Sequence, residues 1–226
     1  MLAHAQDGPW PNAVAAALDS RARAARAAKR GFDILFAAGL LIFSCPLLLL
    51  AILLIRLETR GPAIFRQTRM GRDGKPFQLY KLRGMYMDAR ERFPELYEYS
   101  AGRGDLSDYF FHSGHDPRVT RVGHVLRRYS IDELPNFLNV LRGEMSVVGP
   151  RPEIPELAHL YGPWLNTMLS VKPGVTSPAK ADGRDELSLA ETIEHDRFYV
   201  EHQSIWLDIK VIGRTLLNAL RGKHAS

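Results

Sequence analysis

The stretch Leu126-Arg127-Arg128-Tyr129-Ser130-Ile131-Asp132-Glu133-Leu134-Pro135 places two adjacent carboxylates just after a pair of arginines. Carboxylates among cations make chemical sense when a metal ion and a diphosphate share a site. One carboxylate then attacks phosphorus while the other holds Mg2+ or orients the leaving group. The same residues also fit a structural pattern. Ser130-x-x-Glu133 has capping-box spacing, which predicts a helix beginning near Ile131, with Asp132 complementing its dipole in the first turn. Taken alone, the spacing favours the capping box. The surrounding cations shift the balance toward chemistry. Lys81 and Arg83 follow a predicted strand, and Arg151 stands between Pro150 and Pro152, which restrict the loop presenting it. An arginine fork suits phosphate oxygens, and a helix N-terminus is itself an anion site. Other site types are missing: the sequence has no G-x-x-x-x-G-K-[ST] loop, no H-E-x-x-H helix and no G-x-S-x-G elbow, and no histidine pair has metal-ligand spacing.

These residues need elements to position them. Ala63–Gln67 and Pro76–Lys81 flank an Asp73-Gly74 turn signal, which predicts two short antiparallel strands. Residues 86–114 read as a helix followed by a loop. The pattern turns helical from Val119 to Gly143, Met145–Val148 reads as a short strand, and residues 172–184 read as a loop. Residues 191–221 read as mostly helical, with Ile205, Ile209, Ile212, Leu216 and Leu220 forming an apolar stripe at helical spacing. Flanked by Trp206, Lys210 and Arg214, that stripe either packs on the core or rests on a membrane surface.

The chain has 226 residues, 46% of them hydrophobic, and a formal charge of +5. That length supports one domain with a real core. A single cysteine, Cys45, excludes a disulfide framework and multi-cysteine metal centres. The mean hydropathy of −0.18 conceals an uneven distribution. Residues 34–55 run twenty-two positions without a charge, the length that spans a hydrocarbon core. The alternative is a central buried helix, but the rest of the chain offers little apolar surface to enclose one. Ser44 and Pro46 sit near the midpoint, where proline kinks a helix. Both flanks are basic, whereas a spanning helix shows a charge asymmetry. A re-entrant hairpin broken near Ser44–Pro46 is therefore favoured over a straight span. Residues 56–90 hold nine basic and three acidic side chains, a net +6 that suits anionic headgroups or a phosphorylated lipid. A nucleic-acid patch would not need the apolar run beside it.

Several ordered motifs carry a resemblance. They are Lys29-Arg30-x-x-Asp33, Gly61-Pro62-x-x-Phe65-x-Gln67-x-Arg69-x-Gly71, Lys81-Leu82-Arg83-x-Met85 and Asp116-Pro117-Arg118-Val119-Thr120-Arg121-Val122-Gly123. The most telling run is Ser130-Ile131-Asp132-Glu133-Leu134-Pro135, Asn139-Val140-Leu141-x-Gly143 and Met145-Ser146-Val147-Val148-Gly149-Pro150-Arg151-Pro152. From Lys29 to the C-terminus the chain resembles the bacterial sugar transferases, monotopic polyprenol-phosphate phosphoglycosyltransferases that begin glycoconjugate and exopolysaccharide assembly.

The resemblance implies an enzyme that moves a sugar phosphate from a nucleoside diphosphate sugar, usually UDP-linked, to polyprenol phosphate, releasing UMP. By position, Asp132 matches the family's nucleophile, and Glu133 its partner associated with Mg2+. Lys81, Arg127 and Arg151 match basic residues around the phosphates. The implied fold is α/β, mostly helical with a small β-hairpin: a tail (1–28), a kinked re-entrant membrane helix (29–58) and a cytosolic catalytic domain (59–226) that ends in an amphipathic helix (191–221). The expected place is the bacterial inner membrane with the site on the cytoplasmic face. The expected partners are nucleotide sugar, polyprenol phosphate and membrane lipid, without nucleic acid. Two departures stand out. Ser177-Pro178-Ala179-Lys180 replaces the usual Gly-Trp-Ala-Gln, and Gly84 stands where Ser or Thr is commoner. The competing functional classes are a non-catalytic anionic-lipid binding module and a hydrolase using water as acceptor.

Overall fold

The computed structural model describes residues 10–97, 116–182 and 187–221. The chain begins with one long helix, α1 (Trp10–Glu58), followed by a hairpin of β1 (Ile64–Met70) and β2 (Pro76–Leu82). Short helices α2 (Ala89–Arg92), α3 (Arg121–Arg128) and α4 (Asn136–Arg142) lead into β3 (Ser146–Val148). After α5 (Leu165–Leu169) come β4 (Gly174–Thr176), α6 (Pro178–Asp182), α7 (Leu189–Glu201) and α8 (Ile205–Arg221). The mostly helical fold and the small hairpin agree with the sequence reading.

α1 continues through Pro46, so the expected break near Ser44–Pro46 does not interrupt the helix. Proline there removes one N–H donor and leaves the turns on either side intact. The segment is not the enclosed core helix of the alternative reading: Leu35, Ile42, Phe43 and Leu57 are all more than two-thirds exposed. Only one stripe is covered. Ala37 packs with Phe137, Val140 and Val147, while Ala51 and Ile55 pack with Leu82 and Leu126. Both ends of the apolar run therefore lie on the same globular body.

Polar contacts fix those ends. Asp33 is buried and accepts from Ser146 Oγ (2.9 Å) and the Val147 N–H (3.1 Å). Lys29 bridges Asp33 (2.7 Å) and the buried Asp208 of α8 (3.0 Å). Arg30 donates to the Val140 and Leu141 carbonyls at the C-terminal end of α4 (2.6 and 2.9 Å). At the other end, the Glu58 carboxylate accepts from the Arg121 and Val122 N–H groups at the start of α3 (2.8 and 3.1 Å). This suits an acid facing a helix N-terminus.

The hairpin pairs Ile64 with Leu82 and Met70 with Pro76. Its turn holds Asp73 and Gly74 at positive φ (60° and 72°), the backbone that Asp-Gly signals. β3 and β4 pair in parallel, Ser146 opposite Gly174 and Val148 opposite Thr176. β4 and α6 occupy the region read as a loop. Three-residue strands carry no periodicity, and this pairing is made with a segment distant in sequence. Residues 191–221 form two helices rather than one, separated by a short turn. The α8 stripe is divided: Val211 and Ile212 are buried with Asp208, whereas Trp206, Leu216, Leu217 and Leu220 are exposed. The expected helix after residue 86 is α2, only four residues long; the loop expected behind it falls mostly outside the described residues.

Candidate active site

Ser130 does not cap a helix. It sits in the left-handed region (φ 55°, ψ 24°), with no capping hydrogen bond from its side chain, and Ile131–Glu133 form a single 3-10 turn. The α-helix starts later, at Asn136, with Pro135 immediately before it at φ −63°. A proline is comfortable there, since a helix's first residues have no use for their N–H groups. The capping-box reading is thus replaced by a strained turn carrying Asp132 and Glu133. Both are buried, at 7% and 6% exposure.

Their environments differ. Glu133 is held from two sides: Lys81 Nζ lies 3.3 Å from Oε1, and Lys180 Nζ makes a close ion pair with Oε2. Lys180 also donates to the Val175 carbonyl (3.0 Å). Asp132 Oδ1 is buried and has no hydrogen-bond partner. Such an orphaned acceptor costs stability unless something else uses it.

Secondary structure explains how these groups meet. Alternation along β2 puts Lys81 on the same face as the buried Phe77 and Leu79, at the strand end where the core gives way to a cleft. The parallel pairing of β3 with β4 sets the loops that follow them side by side. One carries Arg151. The other opens α6, with Pro178 at its first position and the Lys180 N–H donating to Ser177 Oγ (3.2 Å). Ser-Pro is a helix-start signal, and it places Lys180 in the first turn. Lys81, Glu133, Arg151, Lys180 and Arg69 line one open cleft.

Arg151 has its own support. Its N–H donates to Asp196 Oδ2 (2.9 Å), and its Nε lies 3.4 Å from Glu153 Oε1. Arg69 reaches the Pro152 carbonyl (3.0 Å) and approaches Glu153 Oε2 (3.9 Å). Burial pushes the Asp196 carboxyl up to about 7, against the opposing pull of the Arg151 N–H. Burial likewise raises the Tyr161 phenol, with the nearby Glu153 charge adding to it.

Of the residues singled out in the sequence, Lys81, Glu133 and Arg151 come together in the cleft. Asp132 lies buried beside Glu133 rather than in the cleft wall. Arg127 also lies outside the wall, 3.9 Å from Asp116. Burial would raise the Asp116 carboxyl, but hydrogen bonds from Arg118 hold it below its ordinary value. Arg127 is carried by α3, which sits close because Gly123 has no side chain: a Cβ there would lie 2.0 Å from the Gly84 carbonyl oxygen. Sequence reasoning missed Arg69, Lys180 and Asp196 as site residues. Only the Ser177-Pro178 helix start could have pointed to Lys180.

A divalent cation can be tested against this donor set. Among the described residues no cluster of three metal-ligating side chains occurs. Mg2+ nonetheless settles for one or two carboxylates completed by substrate phosphates and water. The unpartnered Asp132 oxygen fits that role, whereas Glu133 has both oxygens engaged by lysines.

The bacterial sugar transferase family model matches residues 24–222. The UDP-glucose:undecaprenyl-phosphate glucose-1-phosphate transferase of Caulobacter vibrioides is 42% identical over 213 residues, covering 87% of this chain and 71% of that protein. The undecaprenyl-phosphate galactose phosphotransferase of Salmonella typhimurium is 37% identical over 88% of this chain, which spans only 42% of that longer relative. The exopolysaccharide production protein ExoY of Rhizobium meliloti is 35% identical, with 84% of each chain covered. The chain belongs to the bacterial sugar transferase family.

Proposed function

We propose that the protein transfers a sugar phosphate from a UDP-sugar to polyprenol phosphate at the cytoplasmic face of the inner membrane. The observation that carries this is the cleft itself: four cationic side chains and Glu133 line it, and Asp132, whose Oδ1 has no hydrogen-bond partner, is buried next to Glu133. Two of the relatives' names, a glucose-1-phosphate and a galactose phosphotransferase acting on undecaprenyl phosphate, agree in reaction class and differ in sugar.

In the first step an Asp132 carboxylate oxygen attacks the β-phosphorus, the bond from that phosphorus to the bridging oxygen breaks, and UMP leaves. In the second, a phosphate oxygen of polyprenol phosphate attacks the aspartyl phosphosugar and the bond to Asp132 breaks, giving polyprenol diphosphate sugar. Splitting one transfer into two is the logic of covalent catalysis. Lys81, Arg151 and Arg69 bind and orient the diphosphate, and their charge stabilises the departing phosphate. Mg2+, held through Asp132 and the donor phosphates, would supply further charge neutralisation.

Placement on one side of the membrane is supported by α1. The exposed side of its apolar run (34–55) is hydrophobic, while both flanks of that run, at Asp33 and Glu58, are held on the same domain. A helix that crossed the bilayer would leave that domain, so α1 dips into one leaflet. The exposed Trp206, Leu216 and Leu220 of α8, with Lys210 and Arg214 beside them, suit the headgroup level where the acceptor phosphate lies.

The test is UMP release by the full chain in detergent or nanodiscs, across a panel of UDP-sugars with polyprenol phosphate and Mg2+. One sugar should release UMP and yield a lipid-linked diphosphate. Donor labelled in the sugar should also mark the protein when acceptor is withheld. No UMP from any nucleotide sugar, or UMP release with free sugar phosphate as product, would overturn the reading.

A further inference from the structure

The cleft is built from two clusters of the same composition. Lys81 and Lys180 share Glu133, and Arg69 and Arg151 share Glu153, each cluster placing two cations on one acid. One cation suffices to neutralise a carboxylate. Bringing a second partly buried cation to it costs desolvation that the single negative charge does not repay. Among the described residues, two such clusters bring four cations to one cleft, which suits a diphosphate.

Lys180 is the cation best placed to serve it. Its ammonium stands in the cleft wall, it engages the Glu133 oxygen that Lys81 does not, and it is presented by the first turn of α6. Lysine's flexible stem lets a point charge change partners without moving the backbone. The family pattern has a neutral glutamine at this position, so no role for Lys180 is inherited from the resemblance.

We propose that Lys180 is an exchangeable cation of the donor site, pairing with Glu133 and passing to the donor diphosphate when a nucleotide sugar binds. This rests on the transferase reading. It has a second consequence: as Lys180 leaves, Glu133 Oε2 becomes available to another cation. Lys180 thus opposes divalent-ion binding before the donor arrives and strengthens donor binding afterwards.

The effects of Lys180→Gln are therefore opposite in sign. With the full chain in nanodiscs, Mn2+ binding followed by electron paramagnetic resonance without nucleotide should tighten about tenfold. Calorimetric binding of UDP, which has no sugar to transfer, should weaken about tenfold, the value of one charge-assisted hydrogen bond in a partly exposed setting. Lys180→Arg should keep UDP affinity within about threefold, since it retains the charge. Unchanged or tighter UDP binding in Lys180→Gln overturns the proposal, as does unchanged or weaker Mn2+ binding. Loss of both affinities that Lys180→Arg does not restore would make Lys180 a packing residue and overturns it equally. If the wild-type chain neither binds UDP nor releases UMP, the transferase reading falls and this inference with it. If the wild type does both, a failure in the variant counts against Lys180 alone.

Discussion

Ser130-x-x-Glu133 and Ser188-x-x-Glu191 share a spacing, yet only the second builds a capping box. At the start of α7 the Ser188 hydroxyl accepts from the Glu191 N–H (3.3 Å), and the Glu191 carboxylate accepts from the Ser188 N–H (2.8 Å). The Ser188 N–H, with the Ser188 hydroxyl donating to the same carboxylate oxygen (2.8 Å), holds the Glu191 carboxyl below its ordinary pKa. At the first tetrad, the serine is forced to positive φ and the glutamate is drawn away by Lys81 and Lys180. A capping box forms where nothing stronger competes for the acid, and two ammonium groups compete decisively. One tetrad starts a helix while the other gives up its local bonds to a site. The two are nonetheless linked, because the helix begun at Ser188 carries Asp196 to the backbone of Arg151.

The sharpest way to separate them is through activity. Asp132→Asn should reduce UMP release by about a thousandfold or more and abolish protein labelling by the donor, because the variant lacks a carboxylate nucleophile. Its thermal midpoint should hold or rise, since Asp132 Oδ1 has no partner to lose. A variant that still labels would assign the nucleophile elsewhere and remove the main distinction between the tetrads.

The link through Asp196 gives a pH dependence with a definite sign. Its folded pKa is about 7 against an ordinary value of 3.8, raised by burial. Between those values the folded chain keeps a proton that the unfolded chain releases. The stability this contributes is complete below pH about 4 and is lost as pH rises toward 7. Going from pH 5 to pH 8 should therefore cost on the order of 2–3 kcal/mol, a slope absent from Asp196→Asn. Unfolding of both proteins across that range is the measurement. Parallel curves would mean that Asp196 does not titrate there and that the α7–Arg151 link carries no charge switch.

How much of this was legible in the sequence follows the same division between local and non-local. The hairpin was legible because alternation and Asp73-Gly74 act over a few residues, and the apolar segment because twenty-two uncharged positions need no partner to be noticed. Asp132, Glu133, Lys81 and Arg151 were reached from their types and motifs. Lys180 was not: it lies far from Glu133 in sequence, and β4, which brings it there, is a three-residue strand recognisable only by its pairing with β3. The capping-box expectation failed for a related reason, since the lysines that redirect Glu133 come from β2 and α6. Asp196 carries no local signal, since its value lies in being buried with its carboxylate against the Arg151 N–H.

A smaller effect tests the second tetrad as a structural device. Ser188→Ala removes the acceptor for the Glu191 N–H and should cost about 1 kcal/mol of stability. Turnover at saturating substrate should change less than about twofold, because Arg151 is held by Asp196 well along the helix rather than by its first turn. A loss of activity without a loss of stability would place Ser188 in the site.

The smallest effect is also the most direct comparison, because it differs in sign between the tetrads. Ser130→Gly should raise stability by about 0.5–1 kcal/mol. Left-handed backbone costs a residue with a Cβ roughly that much, and glycine adopts it freely. Ser188 has ordinary extended backbone (φ −62°, ψ 162°), so glycine there gains nothing and gives up the cap. Urea unfolding of the two glycine variants beside the parent reads the difference. If Ser130→Gly were destabilised like Ser188→Gly, the bonds of the Ser130 side chain would outweigh its backbone strain, and the site would have kept local bonds while recruiting its distant ones.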